Sequence, residues 1–357
     1  MKLLFYISTI CNGGAARVMT NLANDLSARG HNCILATTFS DEEEYKLADT
    51  VKRVSFYDLK PTGGWLSKNI LLVKKLRTLI VEHQPDIVVS FLAEPCFRSA
   101  IATIRTNTKT VISVRNDPNW EFKGLIRTLL AKYLFRRVDG IVFQTDDAKA
   151  WFPQSIQKKG CIIFNSVKKD FYEVKLPKNR SGIVATGRLS KQKNHSLLIK
   201  AFAKIADQIN DNLIIYGAGD TEQLKELAES LGVGDRVFLP GQTMDVINTI
   251  KGAKLYVMSS DFEGMPNALM EAMAMGLPCI STDCPCGGPR ALFSSEMTHF
   301  LTPVGNVNVL AERMLEILSN KTKRNDHEKR CKDAAIAFMP EVINKEWEDY
   351  LLKVQAK

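Results

Sequence analysis

The stretch Ala253-Lys-Leu-Tyr-Val-Met-Ser259-Ser-Asp-Phe-Glu263-Gly264-Met265-Pro266-Asn267-Ala268-Leu-Met-Glu271-Ala-Met-Ala-Met-Gly276-Leu-Pro278-Cys-Ile-Ser-Thr282 decides the fold. A short apolar run, a Gly/Pro loop, a helical pattern over Asn267–Met275 and a second apolar run ending at Thr282 follow one another. Two strands joined through a helix are the repeating unit of a parallel sheet. Working outwards, the second half predicts strands at Gly182–Thr186, Asn212–Tyr216, Arg236–Leu239, Ala253–Ser259 and Leu277–Thr282. Helical patterns near His195–Gln208, Thr221–Leu231, Asp245–Gly252 and Asn267–Met275 separate them. The first half repeats the theme with strands at Lys2–Ser8, Cys33–Phe39, Asp86–Leu92, Thr110–Val114, Gly140–Gln144 and Gly160–Phe164, and a helix over Ala15–Arg29 stopped by Gly30. The chain is therefore α/β with two parallel sheets covered by helices. The unpatterned, Lys- and Pro-bearing segment Lys168–Ser181 divides it into domains 1–170 and 171–338. Residues 339–357 form a last helix, with Val342, Trp347, Leu351 and Leu352, that crosses back to brace the first domain.

A length of 357 residues suits two domains of about 150 each. Hydrophobic residues at 45% and charged residues at 24% exclude disordered and low-complexity classes. The longest stretch without Asp, Glu, Lys or Arg, Met297–Ala311, has fifteen residues, short of the ~18 needed to span a bilayer. Lys2–Ile7 has the look of a short signal peptide, but it runs directly into Gly13-Gly14 and a helical pattern, so it reads as a first buried strand. The eight cysteines are scattered, mostly in apolar runs, without zinc-site spacing, which implies reduced thiols and a cytoplasmic setting.

The net charge of +9 resides in residues 1–170, which hold 25 Lys/Arg against 16 Asp/Glu, whereas residues 171–357 balance at 23 each. Two basic segments supply much of it, Lys60–Val81 and Trp120–Val138. In the second, Phe122, Leu125, Ile126, Leu129, Leu130 and Tyr133 make one apolar stripe flanked by Lys123, Arg127, Lys132, Arg136 and Arg137. Such a helix either lies in an anionic membrane surface or packs its stripe on the protein's own sheet with solvated bases at its edges. No nucleic-acid-binding signature accompanies the charge.

In the opening stretch a helix begins at Asn267 after a strand and a tight loop. Its free N–H groups and dipole favour an anion such as phosphate. Glu263 and Glu271 can accept hydrogen bonds from sugar hydroxyls, or serve as a solvated loop acid and a helix-stabilising acid. Glu263-x7-Glu271 with Gly264-Met265-Pro266 resembles the signature of the retaining, nucleotide-sugar-dependent family 4 glycosyltransferases. Gly13-Gly14-Ala-Ala-Arg17, Asn165-Ser166-Val167, Gly187-Arg188-Leu189-x-x-x-Lys193 and Gly217-Ala-Gly219-Asp220 follow the family's order over most of the chain.

The resemblance implies the GT-B fold, two Rossmann-like domains facing a cleft. It implies Glu263, Arg188 and Lys193 as catalytic residues. The two cations and the helix N–H groups would neutralise the leaving phosphate without metal. Gly14, Gly187, Gly217, Gly264, Met265, Pro266, Asn267, Ala268 and Glu271 become nucleotide-sugar contacts. Gly13, Arg17, Arg115, Asn116 and Arg290 become acceptor or sugar contacts. Gly217 and Gly219 lack the third glycine of a dinucleotide-binding loop, and no Asp-x-Asp occurs.

Two positions depart from the family. Val114-Arg115-Asn116 stands where many members carry a His or an acid, so Arg115 either grips phosphate or a donor hydroxyl, or pairs internally with Asp117. Ala16 stands where relatives commonly carry Glu. His195 reads as a helix-start residue. Arg290, after Cys284-Pro-Cys286-Gly287-Gly288-Pro289, touches the donor or caps its loop. The loop resembles those of enzymes building bacterial surface polysaccharides, lipopolysaccharide or capsule among them, and lipid-linked oligosaccharides.

The expected activity is that of a hexosyltransferase with no cofactor. It moves a hexose or N-acetylhexosamine from a UDP-sugar to a glycan, carried on polyprenyl diphosphate, at the inner face of the plasma membrane. The rivals are a UDP-sugar epimerase on the same architecture and a non-enzymatic basic protein binding anionic membrane or nucleic acid.

Overall fold

The computed structural model describes residues 1–11, 13–40, 43–57 and 64–357. Lys60, the first base of the Lys60–Val81 segment, lies outside them. Two compact units divide the chain: Met1–Ser166 together with Glu341–Lys357, and Val167–Pro340. The first passage falls at 166/167 rather than 170/171 because Val167 already bonds to the second unit, its N–H donating to the Phe338 carbonyl at 3.0 Å. The return falls at 340/341, against the expected 338/339.

The first unit holds a seven-stranded sheet: β1 (Lys2–Ile7), β2 (Asn32–Thr37), β3 (Lys52–Ser55), β4 (Ile87–Phe91), β5 (Lys109–Ser113), β6 (Gly140–Phe143) and β7 (Gly160–Ile162). Their order is β3-β2-β1-β4-β5-β6-β7, and every described pair is parallel. Leu3, Phe5, Val89 and Val142 pack on one face and Leu4, Tyr6, Ile34 and Val88 on the other, as the unbroken apolar runs require. The C-terminal helix, Pro340–Gln355, lays Ile343, Trp347, Leu351 and Val354 into this core. Trp347 packs on Phe91 with the rings tilted by 34° and their centroids 5.7 Å apart.

The second unit holds β8 (Ile183–Thr186), β9 (Leu213–Tyr216), β10 (Val237–Gly241), β11 (Leu255–Met258), β12 (Cys279–Thr282) and β13 (Leu301–Thr302), in the order β10-β9-β8-β11-β12-β13. All described pairs are again parallel. Both sheets reverse strand order at a central strand, β1 in one and β8 in the other, so loops from the carboxyl ends of neighbouring strands converge there.

The apolar stripe of 120–138 is not one helix. Gly124, at φ 98°, separates a short turn, Pro118–Glu121, from the helix Leu125–Leu134. Phe122 falls in the break and is buried against Phe97, Phe135 and Phe152. The rest of the stripe faces out, with Leu125 75% and Ile126 74% exposed. It therefore does not pack on the unit's own sheet, the second of the two alternatives. No helix of the described residues is long and apolar enough to cross a membrane.

Candidate functional site

In the second unit, the loops after β8 and β11 meet because those strands are neighbours. Ser190–Asn194 is zipped to Ser259–Glu263. The Asp261 N–H donates to the Gln192 carbonyl at 2.8 Å, Gln192 Nε2 to the Phe262 carbonyl at 3.0 Å, and Ser259 Oγ to the Lys193 carbonyl at 3.0 Å. Asn194, left-handed at φ 43°, donates to Asp261 at 2.7 Å while its own oxygen caps the helix His195–Ile205 through the Leu197 N–H. Gln192, Asn194, Ser260 and Asp261 carry no family signature of their own; the signal for them in the sequence is their position beside Lys193 and Glu263.

This frame brings two of the three expected catalytic residues together. Lys193 Nζ lies 2.6 Å from Glu263 Oε1, which also accepts from Ser260 Oγ at 2.8 Å. Both side chains are largely withdrawn from solvent, so the attraction is little screened. Arg188 stands apart: it is exposed and makes no ion pair with a described residue. It is available to an incoming anion.

The helix that follows, Asn267–Met275, starts after Pro266 with no side-chain cap and no acid in its first turn. Asn267 and Ala268 are half-buried at this helix start, where the dipole favours an anion, and Met265 is buried. Glu271 sits in the second turn, buried, where its charge bears on the Tyr256 phenol. Glycines hold the loops at separations that no side chain would allow. A Cβ on Gly217 would fall 1.9 Å from the Gly187 carbonyl oxygen, and one on Gly288 would fall 1.7 Å from that of Gly264. Gly187 carries the Lys193 stem over it. Arg290 makes a two-pronged pair with Asp283, at 3.0 and 2.9 Å, and remains half-exposed.

His195, read from sequence as a helix-start residue without a partner, is buried, with Nε2 3.4 Å from the Gly187 carbonyl. Burial, with Lys193 adding to it, lowers its pKa to about 4, so it is neutral at physiological pH.

In the first unit the corresponding loops lie at the carboxyl ends of β1 and β5. Gly13, at φ 113°, opens the uncapped helix Gly14–Ala28, whose first turn contains no acid. The Arg17 N–H closes its first turn on the Gly13 carbonyl. Arg115 is buried, donating to Ser113 Oγ at 3.3 Å and to Asn165 Oδ1, with its guanidinium 4.4 Å over the Phe91 ring. Burial brings its pKa down to about 9. It does not pair with Asp117, because that carboxylate caps the turn Pro118–Glu121 through the Asn119 N–H. The Asn116 N–H donates instead to Glu121 Oε2 at 3.2 Å, and burial lifts the Glu121 pKa to about 7. Sequence reading gave Glu121 no role beyond its charge. Among the described residues no three His, Cys, Asp or Glu side chains gather as a metal site.

The family described as Glycosyl transferases group 1 matches residues 166–336, and that described as Glycosyltransferase Family 4 matches 12–171. An uncharacterised glycosyltransferase of Haemophilus influenzae is 27% identical over 325 residues, 89% of this chain and 91% of its own. The Campylobacter jejuni N-acetylgalactosamine-N,N'-diacetylbacillosaminyl-diphospho-undecaprenol 4-alpha-N-acetylgalactosaminyltransferase is 26% identical, with 98% and 99% covered. The crystal structure of Anabaena HepE in complex with UDP superposes with a TM-score of 0.82 at 19% identity, covering 99% and 100% of the two chains, which speaks to the fold. Two parallel-sheet units, matched one after the other by two glycosyltransferase families, make this chain a family 4-like glycosyltransferase of the GT-B fold.

Proposed function

We propose that the enzyme is a metal-independent, retaining transferase that moves a hexose or N-acetylhexosamine from a UDP-sugar to a glycan acceptor on polyprenyl diphosphate. The observation that carries the donor half is the Lys193–Glu263 pair, its Glu263 four residues before the start of Asn267–Met275, with exposed Arg188, which pairs with no described acid, on the adjoining loop. Two cations and a row of N–H groups form an electrophile for a departing diphosphate, whose charge develops as the glycosidic bond breaks. Glu263, already held by Ser260, is placed to accept from a sugar hydroxyl, and Glu271 to bind the nucleotide's diol. Retention follows from attack on the face the phosphate leaves, with that phosphate assisting deprotonation of the acceptor.

The acceptor half draws on the diphospho-undecaprenol in the Campylobacter relative's name and on the first unit's exposed helix. Leu125, Ile126, Leu129 and Tyr133, together with Trp120 and the surrounding bases, suit the inner face of an anionic membrane. A thermal-shift screen of the purified chain against UDP, GDP, ADP and their sugars, with and without EDTA, tests the donor. A shift confined to uridine ligands and insensitive to EDTA is expected. No shift with any nucleotide, well above expected dissociation constants, overturns the reading. The anomeric configuration of the product, read by proton NMR, tests retention.

A further inference from the structure

A polar cavity of about 460 Å³ opens in the first unit among residues 103–110, Ala100, Arg137 and Asp139. Lys109 begins β5 and Asp139 directly precedes β6, so the cavity lies at the amino end of the sheet. The Gly13 and Arg115 loops lie at the other end. Its charge is uncompensated. Asp139 is occupied by Lys109 at 3.6 Å and by the Thr110 N–H at 2.8 Å, whereas Arg105 and Arg137 are exposed and pair with no described acid. Arg105 is held at φ 57°, a left-handed conformation that an arginine adopts at a cost.

The cavity adjoins the amphipathic helix. Arg137 donates to the Tyr133 hydroxyl at 2.9 Å and lies over its ring, and Tyr133 is 56% exposed on that helix. Ile104, which lines the cavity, and Ile101, three residues before it, are 38% and 39% exposed and add apolar surface at its edge.

We propose that this cavity is a binding site for the phosphate headgroup of an anionic phospholipid, gripped by Arg105 and Arg137, with the lipid's chains along Ile101, Ile104 and Tyr133. A guanidinium offers paired N–H donors matched to phosphate oxygens, and the flanking apolar side chains distinguish a lipid from a free phosphate. The proposal rests on the membrane reading given above and adds a discrete, saturable site to it.

The test compares the full chain with R105Q/R137Q and with the charge-matched K123Q/R136Q from the same helical region. Binding is measured to phosphatidylcholine vesicles with and without phosphatidylglycerol, and to monomeric dibutanoyl phosphatidylglycerol and inorganic phosphate. Each base near an anionic surface contributes about a fivefold factor in partitioning, so K123Q/R136Q should lose roughly 25-fold, and R105Q/R137Q about tenfold more than that because specific charge-assisted bonds are also lost. Saturable binding of the short-chain lipid should survive in K123Q/R136Q and vanish in R105Q/R137Q. Equal losses in the two variants overturn the site while leaving the membrane reading intact. Inorganic phosphate binding as tightly as the lipid overturns the lipid assignment. Failure of the unaltered chain to bind anionic vesicles overturns both.

Discussion

Lys193 and Glu263 are seventy residues apart in the chain and 2.6 Å apart in space. Breaking this pair from its two ends has different consequences. Lys193→Ala leaves a buried carboxylate with Ser260 as its remaining described donor, which costs about 2–3 kcal/mol of stability in addition to activity. Glu263→Gln keeps an acceptor for both neighbours. It still leaves the withdrawn Lys193 ammonium without its counter-charge, so its melting temperature should fall, though less than that of Lys193→Ala, while turnover falls about 10²-fold or more. Near-normal rates in Glu263→Gln would remove it from the catalytic set. His195 carries a pH dependence of known sign. Its folded pKa of about 4 lies below the unfolded value near 6.5, so the unfolded chain binds the extra proton. Stability is full above pH 6.5, declines as pH falls towards 4, and changes no further through this group below that. The drop is on the order of 3 kcal/mol. His195→Gln should flatten this limb in pH-dependent denaturant melts; an unchanged limb would locate the acid sensitivity elsewhere.

At the level of elements, the strands with unbroken apolar runs were legible in the sequence, because burial on both faces leaves no room for alternation. β3 and β13 were not. β3, with Lys52 and Arg53 in its four residues, is a half-exposed edge strand, and β13 has only two residues, so neither builds an apolar run. The motifs of the second unit were legible as blocks. Their meeting was not, because it depends on β8 lying beside β11, and strand order is written in packing rather than in local pattern. The helix Leu125–Leu134 shows a further limit. Its amphipathic stripe was visible, but not which side faced out, since apolar residues pack on a core or on lipid by the same rule. Leu125→Glu with Ile126→Glu should leave the melting temperature unchanged, as both side chains already face solvent. It should also release the protein from anionic vesicles and depress transfer to a lipid-linked acceptor more than to a soluble one. A large loss of stability would show that the stripe is covered by protein.

At the scale of the whole molecule, the two units are built differently. Val167–Pro340 is continuous, whereas the first unit needs Glu341–Lys357 to complete its core. A fragment of residues 167–340 should melt cooperatively and retain the uridine-nucleotide shift proposed above for the full chain. A fragment of residues 1–166 should stay soluble and folded only when the C-terminal segment is supplied in trans, because the fully buried Trp347 otherwise leaves Phe91 and its neighbours uncovered. Cooperative melting of 1–166 alone would contradict this. The same architecture sets an order of events on the ribosome. The β1 and β4 strands emerge early, yet the side chains that seal them arrive only after the whole second unit has been translated. The second unit therefore has the means to fold first. The first unit, with its exposed amphipathic helix already made, must wait in an open state that chaperones would have to shield until Trp347 is delivered.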